Sequence, residues 1–291
     1  ARVEDVRDTL TPQLDTREQQ IEVLLVDLAN GSQRLGASAL AQVYSQLGNE
    51  VPDVESPQQL KDFFDLLQQL KRQRQVLAYH DRSDGGVIVA LLEMAFAAQS
   101  ALSIHLPCDD QQLLATAFNE ELGALIQVRP EHRQQIIERF AAKGITVQLV
   151  ASYHTASDDS VSGDMGSKTV TVSTNGSFKQ QFDLRELHAC WQRTSFEMQS
   201  LRDNAQCAQQ EFDLISSGSR GLYTELSYQP ADDVAAPFIA SGVKPKIAIL
   251  REQGVNSQYE MAAAFNRAGF ECHDVHMSDL LSSRVALAQF Q

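Results

Sequence analysis

Tyr79-His80-Asp81-Arg82-Ser83-Asp84-Gly85-Gly86 runs without a break into Val87-Ile88-Val89-Ala90-Leu91-Leu92-Glu93-Met94-Ala95-Phe96. A β-prone apolar stretch, Val76 to Tyr79, meets a polar turn with two carboxylates, a hydroxyl and a glycine pair, and an apolar helix starts at once. Such an order points the free N–H groups and the positive dipole end of a helix at whatever occupies the turn, which is how proteins hold phosphate. Carboxylates crowd such a place when a cation accompanies the anion, and Mg²⁺ bridging a nucleotide reconciles the two. A plainer reading stands beside it: Ser83 or Asp84 caps the helix and the glycines only turn the chain.

The same device occurs upstream. Ile21 to Leu28 reads as a strand, Ala29-Asn30-Gly31-Ser32-Gln33-Arg34-Leu35-Gly36 as a turn-rich loop, and Ala37 to Leu47 as a helix. Arg34 and Ser38 are candidate ligand contacts, although a loop and a cap explain them equally. From Gln58 to Gln75 the residues Leu60, Phe63, Phe64, Leu67 and Leu70 form an apolar stripe near helical spacing, which we assign to a core.

Downstream, Ala101 to Pro107 and Leu122 to Val128 read as strands. Pro130 opens a helix through Lys143, Gly144 stops it, and Ile145 to Val150 is a further strand. Helices and strands alternate without strict βαβ regularity, so the expected fold is α/β (α+β), a mixed sheet with helices on one face. Ser152 to Ser167 is polar, acidic and glycine-bearing, and is expected to be a mobile surface loop. Thr169–Thr174 and Phe178–Phe182 flank Asn175-Gly176, a strong hairpin signal. Leu184 to about Phe212 reads as helical, and residues 213–244, with Pro230 and Pro237, as a connector. From Lys246 the pattern is strand (Ile247–Leu250), loop, helix (Ser257–Ala268) and strand (Phe270–His276), the first βαβ unit of a doubly wound sheet. The expected division is therefore 1–212, 213–244 and 245–291.

Composition narrows the function classes. The 291 residues carry a formal net charge of −14, which argues against binding a nucleic-acid backbone but leaves room for nucleotides held by local dipoles and metals. No apolar run is long enough for a membrane span and no secretory leader is visible, so a cytoplasmic protein with free thiols at its four cysteines is expected. A triad glutaminase needs a Cys nucleophile on a sharp strand-to-helix turn, and none occurs before Gln291. Cys272 lies inside a strand, where it reads as packing, and His273 and His276 fall on that strand's alternate faces. No catalytic residue is therefore expected within these 291 residues.

Two long segments carry a family resemblance. His80 to Ala97, HDRSDGGVIVALLEMAFA, resembles the signature of the second synthetase half of the phosphoribosylformylglycinamidine synthases (formylglycinamide ribonucleotide amidotransferases) of the large single-chain type. Pro245 to Ser257 (PKIAILREQGVNS), Glu260 to Phe265 and Asp274 to Leu280 resemble the opening of that family's glutaminase domain. Phe118 to Gly123 and Leu201 to Asn204 agree with it. The resemblance implies an internal fragment: a synthetase C-terminal half-domain followed by the start of a class I glutamine amidotransferase domain. It implies participation in the ATP-dependent conversion of formylglycinamide ribonucleotide and glutamine to formylglycinamidine ribonucleotide, with the missing N- and C-terminal segments of the same polypeptide as partners. Carried over residue by residue, it makes Asp81 the Mg²⁺ ligand and Ser83 the phosphate contact of an ATP/ADP site, with Asp84, Gly85 and Gly86 forming the surrounding turn. Aminoimidazole ribonucleotide synthetase and selenophosphate synthetase share a similar turn but carry no glutaminase segment. A non-catalytic nucleotide-binding or scaffold module is the remaining alternative.

Overall fold

The computed structural model of the protein describes residues 8–17, 20–154, 168–217 and 224–290. The chain divides into two compact units, residues 1–221 and 222–291.

The first unit is organised around strand β1, Gln20–Asp27, whose burial runs through Ile21 to Val26. Its side chains alternate between two cores: Ile21, Val23 and Leu25 enter one, Leu24 and Val26 the other. β2 (Val76–Asp81), β3 (Leu102–His105), β4 (Gly123–Val128), β5 (Thr146–His154), β6 (Thr169–Ser173) and β7 (Lys179–Asp183) complete a sheet of order β2-β4-β1-β5-β3-β6-β7. All neighbours are antiparallel except β3 and β6, so the sheet is mixed, as expected. A bulge between Val23 and Leu24 in the β1–β5 ladder skips Val150, so Val150 and Ala151 both enter the same core.

Helices cover both faces, not one. On the first face lies α3 (Gly86–Ala98), buried along Val87, Ala90, Leu91, Met94 and Ala95 at helical spacing. On the second lie α2 (Pro57–Arg72) and α5 (Pro130–Ala141), contributing Phe63, Leu66, Leu67, Leu70, Ile136 and Phe140. The reason is in β1 and β4: each presents apolar residues on both sides, and both sides need cover. The buried stripe of α2 is Phe63, Leu66, Leu67 and Leu70, while Leu60 and Phe64 face solvent. The helix expected over Ala37 to Leu47 shrinks to α1, Ala39–Val43, because Ala37 and Ser45 adopt positive φ at 59° and 55°.

The span expected as one helix from Leu184 is two, α6 (Leu184–Arg202) and α7 (Ala205–Ser217), broken at Asp203-Asn204. Asn204 restarts the helix by accepting from the Gln206 and Cys207 amides at 3.0 and 3.1 Å. α7 folds back on α6, stacking Phe212 on Phe196 with centroids 4.5 Å apart, and it runs through the expected boundary at 212. The loop expected over Ser152 to Ser167 is strand through His154, and 155–167 lie outside the described residues.

The hairpin at Asn175-Gly176 forms, but its five-residue loop is held from outside. Helix α4 is Leu113–Phe118, and just before it Asp110 accepts from the Thr174 hydroxyl, the Ser177 amide (2.9 Å) and hydroxyl (2.8 Å), and the Phe178 amide (3.1 Å). These bonds, Thr174 first, hold the Asp110 carboxyl down at about 2 against an ordinary 3.8. A depressed carboxyl adds stability that is full above its unfolded pKa and lost as pH falls through its folded one. Acid titration of urea unfolding should therefore show stability lost between pH 3.8 and about 2. In Asp110→Asn that part of the loss should vanish. Identical acid limbs would show that Asp110 is not the group responsible.

The second unit contains α8 (Ala236–Ala240), within the stretch expected to be a connector, then β8 (Lys246–Arg251), α9 (Gln258–Arg267), β9 (Glu271–His276) and α10 (Met277–Leu281). β8 and β9 pair in parallel from Lys246↔Glu271 to Arg251↔His276, giving the expected βαβ unit. Ile249 and Val275 are buried, whereas Leu250 on β8 and Tyr259 and Met261 on α9 are exposed.

Candidate functional site

The turn after β2 departs from both sequence readings. Neither Ser83 nor Asp84 caps α3: the cap position is Gly85 at φ 83°, with no side-chain cap bond. The Gly85 amide instead donates to Glu120 Oε1 at 2.8 Å, and the Gly86 amide to the Ser83 carbonyl at 2.9 Å. Neither glycine amide is therefore open to a phosphate in this conformation. Gly86, at φ 71°, has a different reason to be glycine, since a Cβ there would lie 2.6 Å from the Ala117 carbonyl oxygen. The pair lets the start of α3 press against the end of α4.

Glu120 is the residue that composition and spacing missed. Its Oε1 also accepts from the amide of Ala39, the first residue of α1, at 2.8 Å, so one carboxylate joins the starts of two helices. Its neighbour Glu121 has a fully buried side chain and grips Arg34 by Nε (2.7 Å), Nη2 (2.8 Å) and the backbone amide (3.0 Å). Burial pushes Glu121 upward, but the Arg34 bonds prevail and its carboxyl lies below the ordinary range. Arg34 also reaches Glu55 at 2.8 Å, and Ser38 caps α1, so both loop residues weighed as ligand contacts serve the fold. Two adjacent carboxylates before an apolar strand were the available signal.

Arg82 lies beneath the turn, its side chain 3% exposed. Nη2 donates to Asp27 Oδ1 and to the Leu122 carbonyl, both at 2.7 Å, and Nε to the Glu121 carbonyl at 2.5 Å. Asp27 ends β1, so Arg82 ties the first glycine loop to the second. His80 is structural: Nδ1 lies 2.7 Å from the Asp81 carbonyl and Nε2 2.8 Å from Glu93, which also receives the Trp191 N–H at 3.1 Å.

Asp81 sits exposed at the end of β2, and its Oδ1 accepts from the Tyr79 hydroxyl at 2.5 Å. Burial first, then this bond, raises the tyrosine hydroxyl well above its usual value. Among the described residues no group of three His, Cys, Asp or Glu side chains stands ready for a metal. Mg²⁺ bound to a nucleotide needs only one or two protein carboxylates, its other positions going to phosphate and water. A lone exposed Asp81 beside Ser83 and Asp84 fits that demand, and fits a metal held by protein alone poorly.

In the second unit the Cys272 thiol donates to the Ala262 carbonyl at 3.3 Å, on the strand as expected, and His276 caps α10 by accepting from the Ser278 amide at 3.1 Å. No helix among the described residues is long and apolar enough to cross a membrane.

Residues 23–160 match the family described as AIR synthase related protein, C-terminal domain, and residues 244–291 match the CobB/CobQ-like glutamine amidotransferase domain. The first unit is built on an AIR synthase-related C-terminal domain. A glutamine amidotransferase-type segment follows it. Among solved structures, PurLQS from Thermotoga maritima is 13% identical, with a TM-score of 0.45 over 62% of this chain and 27% of that one. T. maritima PurL complexed with FGAR is 14% identical, with a TM-score of 0.47 over 62% and 30%. E. coli HypE, a hydrogenase maturation protein, is 22% identical, with a TM-score of 0.40 over 60% and 52%. The chain thus spans less than a third of the two Thermotoga chains. Within the AIR synthase-related domain lie the Asp81–Gly86 turn, the Arg34–Glu121 pair and the Arg82 anchor.

Proposed function

We propose that this chain supplies part of a phosphoribosylformylglycinamidine synthase, the ATP-dependent carbon–nitrogen ligase that joins glutamine-derived ammonia to formylglycinamide ribonucleotide in purine biosynthesis. The observation that carries this reading is the succession, in one chain, of an AIR synthase-related C-terminal domain and a glutamine amidotransferase segment. A synthetase that consumes ammonia and a domain that releases it belong together. Residues 1–212 form the synthetase half-domain, 213–244 the connector and 245–291 the amidotransferase start, the partners being further segments of the same polypeptide in the cytoplasm. Nucleic acid is not among them, given the net charge of −14.

In this reading Asp81 holds Mg²⁺ and Ser83 meets the phosphate of ATP or ADP, with Asp84, Gly85 and Gly86 shaping the turn. The metal, when bound, neutralises phosphoryl charge. Tyr79 orients the Asp81 carboxylate through its hydroxyl, and Glu120 fixes the turn by holding the Gly85 amide. A second reading, a site that retains a nucleotide for structure and not turnover, is favoured by the engaged amides of Gly85 and Gly86.

Asp81→Asn should weaken Mg²⁺-dependent ADP binding by about ten- to a hundredfold, matching roughly 1.5–3 kcal/mol for a lost charged interaction. Equilibrium dialysis of the 291-residue chain at limiting magnesium measures it. Binding equal to wild type, with the same metal dependence, removes Asp81 from the site.

A further inference from the structure

Beside the turn, inside the first unit, lies a cavity of about 220 Å³. The end of β1, the 30–33 loop, the start of α3 and the first residues of β5 surround it. Its volume is of the order of half a dozen waters, enough for one sugar ring and too small for a whole nucleotide.

Charge decides what it suits. Arg82 lines it but is committed to Asp27, Glu121 and Leu122, and no other cation is among the lining residues. A phosphate would find no counter-charge there. Acceptors, in contrast, are left over. Asp27 Oδ2 receives only the Gly31 amide, at a long 3.3 Å. Asn119, 2% exposed, gives its Nδ2 to the Ala115 and Thr116 carbonyls, while its Oδ1 is buried without a partner among the described residues. A buried carbonyl without a donor costs about 1–3 kcal/mol, which a bound donor recovers. Leu25, Val87, Leu106 and Val150 give the remaining wall an apolar character.

Unfilled acceptors beside an apolar wall, with no net cation, complement a neutral ring that has hydroxyls on its edge and C–H bonds on its face. We propose that this cavity binds the ribosyl ring of a ribonucleotide, its vicinal hydroxyls donating to Asp27 and Asn119. This rests on the ribonucleotide-ligase reading above and adds the sugar subsite to it. Asp27 acts as an acidic residue does on a ribose diol elsewhere: a fixed acceptor that a deoxy sugar leaves unfilled.

The test uses the 291-residue chain with methyl β-D-ribofuranoside and its 2-deoxy counterpart, neutral probes that need no phosphate site, followed by saturation-transfer NMR titration. The ribofuranoside should bind about tenfold tighter, the effect of one lost hydrogen bond to a charged group. Asp27→Asn should remove most of that preference. Because Asp27 also pairs with Arg82, a second variant decides if it misfolds: Gln148→Trp, at an exposed lining position, should block the cavity and reduce binding at least about tenfold with an unchanged circular dichroism spectrum. Equal affinity for the two sugars, undiminished binding in Gln148→Trp, or no binding of either probe to the wild type overturns the proposal. Mg²⁺-dependent ADP binding that persists in any of those cases leaves the Asp81 reading standing. Ribose selectivity without ADP binding would do the reverse.

Discussion

Replacing Arg82 by methionine should lower the unfolding free energy of the first unit by about 3–5 kcal/mol, the usual effect of removing one partner from a buried ionic network. Methionine fills similar space but donates nothing. The Asp27 carboxylate would lose its cation, and the Glu121 and Leu122 carbonyls their side-chain donor. These acceptors belong to the end of β1 and to the segment leading into β4, the two strands buried on both faces. Arg82→Lys should recover only part of the loss, because a single ammonium cannot reproduce the planar fork that serves three acceptors. Urea unfolding monitored by circular dichroism measures both. A loss under about 1 kcal/mol for Arg82→Met would mean that water replaces the guanidinium, contrary to the network described.

Gly86→Ala carries the second large effect. At φ 71° an alanine pays backbone strain of about 1–2 kcal/mol. Its Cβ would also stand 2.6 Å from the Ala117 carbonyl oxygen and 2.7 Å from the Asn119 carbonyl oxygen, backbone atoms with nowhere to rotate. Overpacking of this kind adds about 1–3 kcal/mol, so a total of about 2–5 kcal/mol is expected. Gly31→Ala separates the two contributions: φ there is 85°, yet nothing lies within 4 Å of the added Cβ. It should cost only the strain. Equal losses for the two variants in the same urea experiment would remove the steric contribution and leave backbone conformation alone.

Much of this architecture was legible before any coordinates. Strand periodicity at Leu122–Val128, the Asn175-Gly176 turn and the strand–helix–strand run after Lys246 each reflect local side-chain chemistry, and each is present. Both-face burial of β1 was written in its unbroken apolar run, which a one-faced sheet could not have accommodated. Less legible were features set by partners far away in sequence. Nothing near Gly85 announces that Glu120 takes its amide, and nothing near Ser177 announces Asp110. The break at Asp203-Asn204 depended on an asparagine cap inside a continuous helical pattern. At the site, residue types suggested a phosphate cradle, but the glycine amides had already found protein acceptors.

The ladder of β1 has a consequence for how the chain is made. Both of its neighbours, β4 and β5, lie roughly a hundred residues or more further along, so no partner exists while the early chain leaves the ribosome. At synthesis rates of about 5–20 residues per second, its apolar run waits for several seconds or longer before pairing. During that interval Ile21 to Val26 is a sticky segment with its backbone open to other nascent chains. A protein that puts its most buried strand first thereby makes its own biogenesis dependent on chaperone cover until β4 and β5 arrive.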